Sequence, residues 1–244
     1  MAKTAAARER LAFALDVATR AEAERWIERL LPSVGVFKVG LELFVSEGPA
    51  VTRAVTARGA ACFLDLKLHD IPKTVGRSAE RAGALGVRYL TMHASAGREA
   101  IREAASALEG TGTTLLGVTV LTSQREQDLR DAGVTRAMGE QVLALADLAL
   151  SAGAGGLVCS PEECAALRAK FGAAPTLVVP GIRPAGAALG DQARVATPGD
   201  AVARGASVLV VGRPIRDAAD PEAAARAVLQ DITNAAAGSG QGAT

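Results

Sequence analysis

Residues 62 to 74 read Cys62-Phe63-Leu64-Asp65-Leu66-Lys67-Leu68-His69-Asp70-Ile71-Pro72-Lys73-Thr74. The run alternates as a strand does. Asp65 and Lys67, two apart, fall on one face, and Leu64, Leu66 and Leu68 on the other. Pro72 cannot extend a strand ladder but suits the first turn of a helix. The stretch therefore predicts a strand, a short loop and a helix. Asp65, Lys67 and Asp70 then gather at the C-terminal end of the strand. Charges at a strand end commonly face water, and a solvated ion pair there contributes little. This strand is otherwise apolar, however, as a strand buried on both faces is. A buried charge is costly unless it is paired. A carboxylate–ammonium–carboxylate cluster in that setting points to a site.

Similar units lie on either side. Apolar runs predict strands at 11–17, 34–39, 61–66, 87–93, 113–121, 155–159, 176–179 and 207–211. Helices are expected at 20–31, capped by Thr19, and at 47–58, 72–85, 98–108, 139–151, 161–170, 198–204 and 221–235. Segment 122–133 is polar and reads as a loop, 180–198 as a long Gly- and Pro-rich loop able to act as a lid, and 238–244 as a frayed tail. Eight strand–helix units in one domain over 1–244 have the size of an α/β fold of the (β/α)8 TIM-barrel type. An open doubly wound sheet shares the periodicity, but no Gly-x-Gly-x-x-Gly follows the first strand. Instead polar residues recur at strand ends: Asp16, Lys38, Asp65, Lys67, His93, Thr122, Arg183 and Arg213. A barrel brings those ends to one face.

The composition suits this fold. Hydrophobic residues make up 49% of the chain and aromatic ones only 3%, so the core is aliphatic. A net charge of +1 with interspersed signs suggests neither a nucleic-acid nor a membrane surface. Cys62, Cys159 and Cys164 are odd in number and lack metal-ligand spacing, which reads as reduced thiols in a cytoplasmic protein. The charged N-terminus has no signal-peptide core, and no apolar run approaches a membrane span.

Barrel enzymes often hold phosphate with the loops after strands 7 and 8. Here those loops begin Pro180-Gly181-Ile182-Arg183-Pro184 and Val211-Gly212-Arg213-Pro214. Gly212 lets backbone approach an anion, and Arg213 offers a fork of donors. Arg183 and Gln192 could reach in from the long loop. A Gly-Arg-Pro turn alone is more often only a turn; its place at the eighth strand favours the phosphate reading.

Taken together, the residues resemble the orotidine 5′-phosphate decarboxylase family, in its bacterial branch. The likeness rests on Asp65-Leu66-Lys67-Leu68-His69-Asp70-Ile71-Pro72, Asp16, Lys38-Val39-Gly40, Val120-Leu121-Thr122-Ser123, Pro180-Gly181-Ile182-Arg183, Gly190-Asp191-Gln192-Ala193-Arg194 and Val211-Gly212-Arg213. These motifs stand in the family's order over nearly the whole chain. Lys73 departs from it, where many relatives carry a small polar residue.

The resemblance implies loss of carbon dioxide from orotidine 5′-monophosphate to give uridine 5′-monophosphate, the last step of pyrimidine nucleotide synthesis. It implies no metal, no organic cofactor and a homodimer. Lys67 would stabilise the ring carbanion and supply its proton, and Asp65 and Asp70 would favour the lysine's charged form. Lys38 would stand beside Asp65 and near the ribose, with Asp16 accepting from a ribose hydroxyl. Thr122 would meet the pyrimidine, and Arg183, Gln192, Gly212 and Arg213 would grip the phosphate. Asp70 and Thr74 would reach the neighbouring protomer's site. His93 could line the pocket or serve the fold, His69 is expected to face away, and Cys159 reads as a core thiol. A magnesium-dependent sugar-phosphate enzyme of the same superfamily shares an Asp-x-Lys-x-x-Asp motif but needs an acid near Lys38. A nucleotide-phosphate sensor could keep Arg183 and Arg213 yet would not need Lys67 between acids.

Overall fold

A computed structural model describes residues 2–184 and 196–238 of the chain. Gln192 and its motif 190–194, most of the expected lid, and residues 239–244 of the expected tail lie outside the described residues. Eight parallel strands close into a barrel in sequence order. They are β1 (Leu11–Ala14), β2 (Val36–Val39), β3 (Ala61–Leu68), β4 (Tyr89–His93), β5 (Thr114–Val118), β6 (Gly156–Val158), β7 (Thr176–Val179) and β8 (Val208–Val211). Closure comes from pairing of Phe13 in β1 with Val211 in β8. The barrel class expected from strand-end polarity is the observed one.

Two apolar compartments follow from the period of two along each strand. One set of side chains points inward: Ala12 and Ala14, Val36, Phe63, Tyr89, Leu116, Val178, Val208 and Val210. The alternate set, including Leu11, Phe13, Phe37, Leu64, Leu90, Leu177 and Leu209, packs outward against the helices. Phe63 meets Tyr89 edge-on inside the barrel, with ring centroids 5.8 Å apart. The inward parity runs on past these apolar residues to Asp16, Lys38 and Asp65, one position pair nearer the C-terminal mouth. The core thus delivers charged side chains to the mouth by the same alternation that fills the interior.

Most helices lie within a few residues of expectation. Thr19 does cap the helix Arg20–Leu30, its hydroxyl accepting the Glu22 N–H at 3.3 Å. The single helix expected at 47–58 is two, Leu41–Glu47 and Ala50–Thr56. Gly48 ends the first with φ of 60° and Pro49, lacking an N–H, starts the second. The loop expected at 122–133 contains a helix, Glu126–Asp131. Its start is held by Asp128, which accepts the Arg125 N–H at 2.6 Å, and Leu129 is buried. Two further helices, Ala2–Arg8 and Arg213–Arg216, had no apolar periodicity to announce them.

Candidate active site

β3 is not regular where it carries its charges. Leu64 pairs with Leu90 and Leu68 with Met92, so Asp65, Leu66 and Lys67 face Thr91 alone across the ladder. This bulge bends the strand. At its end Lys67 has φ of 49°, the left-handed region, and is the one such non-glycine residue among those described. Asp65 and Lys67 converge as expected, but through a fold-back of the backbone rather than through regular strand geometry.

The Lys67 ammonium donates to Asp65 Oδ2 at 2.8 Å. Lys38, on the neighbouring strand, brings its Nζ within 3.7 Å of the same oxygen and donates to Asp16 Oδ1 at 3.3 Å. Thr91 donates to Asp65 Oδ1 at 2.9 Å, and its hydroxyl accepts the Lys67 backbone N–H at 2.9 Å. Burial by itself would raise the Asp65 carboxyl. The charges of Lys38 and Lys67, with the hydrogen bonds from Lys67 and Thr91, outweigh it and leave the group below the usual carboxylate range. Asp65 is therefore a buried anion held by two cations.

The cluster opens on a cavity of about 190 Å³ at the C-terminal mouth. Lys38, Asp65 and Lys67 line one side, Thr122 and Pro180 the rim, and Phe63, Val158, Val178 and Val210 the apolar floor. Polar groups thus converge on one wall of a pocket with an otherwise apolar lining.

The expected phosphate residues lie beside it. A β-carbon placed on Gly212 would come within 3.5 Å of Asp16 Oδ2, so the β8 turn abuts the charged cluster. Arg183 is buried, donates from Nη1 to the Ile182 carbonyl at 3.0 Å, and has its own N–H accepted by Ala196 at 2.9 Å. Burial lowers the Arg183 guanidinium, and the charge of Arg213 lowers it further. A guanidinium following each of β7 and β8 suits an anion.

Asp70 and Thr74 are not brought into the cluster of their own chain. Both are exposed. Asp70 accepts the Ile71 N–H at 2.7 Å and forms no ion pair with Lys67 among the described residues. Within one chain Lys67 sits against Asp65 alone of the two acids. Lys73, the departure from the family pattern, pairs with Glu103 at 2.9 Å on the outer surface. His69 is exposed, and its ring meets that of His93 at a tilt of 42°, centroids 5.6 Å apart. Burial lowers the His93 imidazole, and the neighbouring His69 and Lys67 add to the effect. Cys159 is fully buried, its sulfur 3.9 Å from that of Cys164. Thr91 is the polar contact that sequence reasoning passed over. The available signal was its inward parity with Tyr89 and His93 on β4.

A parallel (β/α)8 barrel with a lysine–carboxylate centre at its C-terminal mouth and an arginine after each of strands 7 and 8 defines a class of enzyme. Residues 9–228 match the model of the orotidine 5′-phosphate decarboxylase / HUMPS family. Orotidine 5′-phosphate decarboxylase of Anaeromyxobacter sp. (strain K) is 55% identical over 224 residues, covering 92% of this chain and 98% of the relative. The protein of the same name from Syntrophotalea carbinolica is 47% identical over 236 residues, covering 94% and 97%. The crystal structure of orotidine 5′-phosphate decarboxylase from Lactobacillus acidophilus superimposes with a TM-score of 0.81 at 38% identity, over 92% of this chain and 99% of that one. The chain belongs to the orotidine 5′-phosphate decarboxylase / HUMPS family, and membership makes it an enzyme.

Proposed function

We propose that the enzyme decarboxylates orotidine 5′-monophosphate to uridine 5′-monophosphate, with Lys67 as the proton donor and no metal. The observation that carries the reading is the convergence of Lys38 and Lys67 on the single buried carboxylate of Asp65 at the cavity wall. When the bond from the pyrimidine ring to the carboxylate breaks, carbon dioxide leaves and the electron pair stays on the ring carbon. The Lys67 ammonium stabilises that charge and then transfers its proton to the carbon; water restores the lysine. Asp65 positions the ammonium and faces the departing carboxylate. Lys38 and Asp16 hold the ribose, and Thr122 meets the pyrimidine. Arg183, Gly212 and Arg213, joined by Gln192, hold the phosphate. Binding energy at that remote end helps to order the charged cluster.

The reading further places the enzyme in the cytoplasm, as one barrel domain per chain, working as a homodimer that carries Asp70 and Thr74 to the neighbouring site. Among the described residues, no helix is long and apolar enough to cross a membrane. Leu41, Val45 and Ile71 are 52%, 81% and 68% exposed, and all follow the neighbouring strands β2 and β3 at the mouth. A partner protomer covering them would set Asp70, next to Ile71, against the second cavity. A magnesium centre is disfavoured because the lysine ammoniums occupy the carboxylates that a cation would need.

The test is conversion of orotidine 5′-monophosphate in excess EDTA, followed by ultraviolet absorbance. Turnover undiminished by the chelator is expected. No conversion, with turnover of a sugar phosphate once magnesium is added, would overturn the reading.

A further inference from the structure

The β3 bulge creates a bonding problem. Three residues, Asp65 to Lys67, stand opposite one, Thr91, so the ladder cannot satisfy every backbone group there. In the bulge the Lys67 N–H goes to a side chain and not to a ladder carbonyl, and an N–H left without an acceptor there is destabilising. Thr91 itself is 0% exposed. Its hydroxyl accepts that N–H at 2.9 Å. A hydroxyl has one proton to give, and here it goes to Asp65 Oδ1, also at 2.9 Å. The other oxygen of the same carboxylate takes the Lys67 ammonium at 2.8 Å.

A closed circuit results. Lys67 is tied to Asp65 twice, once through its side chain and once through its backbone by way of Thr91. We propose that Thr91 is a positioning residue for the Lys67 ammonium, its hydroxyl locking the left-handed backbone of Lys67 to the carboxylate that the ammonium faces. The role rests on the functional reading above and extends it to a residue that touches neither the cavity nor substrate. Without the hydroxyl the carboxylate can rotate and the bulge can relax, and the ammonium loses its fixed distance from the reacting carbon. Displacements of that size are costly to catalysis even when binding is intact.

Thr91→Val, near in shape, removes both bonds; Thr91→Ser keeps the hydroxyl and removes a methyl group. The valine variant is expected to lose roughly 10- to 100-fold in kcat, the scale of hydrogen bonds to a buried charge. Its inhibition by uridine 5′-monophosphate should change by less than about threefold, because the phosphate and ribose contacts remain. The acid limb of its pH profile should move up, since the Asp65 carboxylate loses a donor while Lys38, Lys67 and His93 still face it. Thr91→Ser is expected to stay within roughly threefold of the native enzyme. A valine variant as fast as the native enzyme, or a serine variant as impaired as the valine one, would overturn the proposal in favour of plain packing. Should the valine variant not fold, amide hydrogen exchange decides it in the native protein. Slow exchange at Lys67 is expected, and exchange as fast as at His69 would contradict the circuit. Failure of the native enzyme to convert orotidine 5′-monophosphate would remove the functional reading alone; the same exchange measurement would still decide the circuit.

Discussion

The two ends of the barrel use the same residue types to opposite ends. At the N-terminal face Arg168 gives its donors to fixed acceptors: Gly205, Gly172, Ala173 and Pro175 carbonyls and the Ser207 hydroxyl, at 2.8 to 3.2 Å. Arg10 beside it donates to the carbonyls of Ala206 and Ser207. Burial and the charge of Arg168 both lower the Arg10 guanidinium. These charges bind backbone and stitch the starts of β7 and β8 together. At the C-terminal face the cations Lys38 and Lys67 instead converge on side-chain carboxylates at the edge of a cavity. A charge whose donors are consumed by backbone serves the fold. Charges held by one another, facing open space, can respond to a bound molecule.

That contrast can be broken by substitution. Among substitutions that keep the proton donor, the largest effect is expected for Asp65→Asn, which leaves Lys38 and Lys67 facing each other without their shared anion. A loss of roughly 100- to 1000-fold in kcat should follow, read by steady-state turnover. Next comes Arg213→Ala, which removes one guanidinium of the proposed phosphate grip. It should raise KM roughly 10- to 100-fold with a smaller fall in kcat, separating remote grip from reacting centre. Arg168→Ala at the opposite face should lower stability by about 2–3 kcal/mol in chemical denaturation and leave kcat of the folded enzyme unchanged.

The smallest effect is a pH dependence. The folded Asp65 carboxyl lies below its unfolded value of about 3.9. Its contribution to stability is therefore complete above that value and is lost as pH falls through the lower, folded one. Thermal unfolding should show this acid-side loss in the native protein and a shallower one in Asp65→Asn.

Much of this was legible in the sequence because it depends on local periodicity. Alternation at Val36 and Lys38, or at Phe63 and Asp65, announces which charges point inward once a barrel is recognised. Arg183 and Arg213 were singled out for the proposed phosphate grip by their places after the seventh and eighth strands. The β3 bulge was not legible, since it arises from pairing with β4 and not from any residue of β3 alone. For that reason the left-handed Lys67 and the role of Thr91 were hidden. Gly48-Pro49 was a break in plain view, masked by the apolar periodicity on either side. Asp70 read as part of the cluster because only two residues separate it from Lys67, yet the fold-back at Lys67 leaves it at the surface of its own chain.

The central claim is that Lys67 delivers the proton. It is tested most directly by measuring turnover of orotidine 5′-monophosphate and binding of uridine 5′-monophosphate in the same preparation of Lys67→Ala. The account predicts turnover reduced to background with product binding held within roughly tenfold, because ribose and phosphate contacts lie elsewhere. Turnover retained in that variant would contradict it.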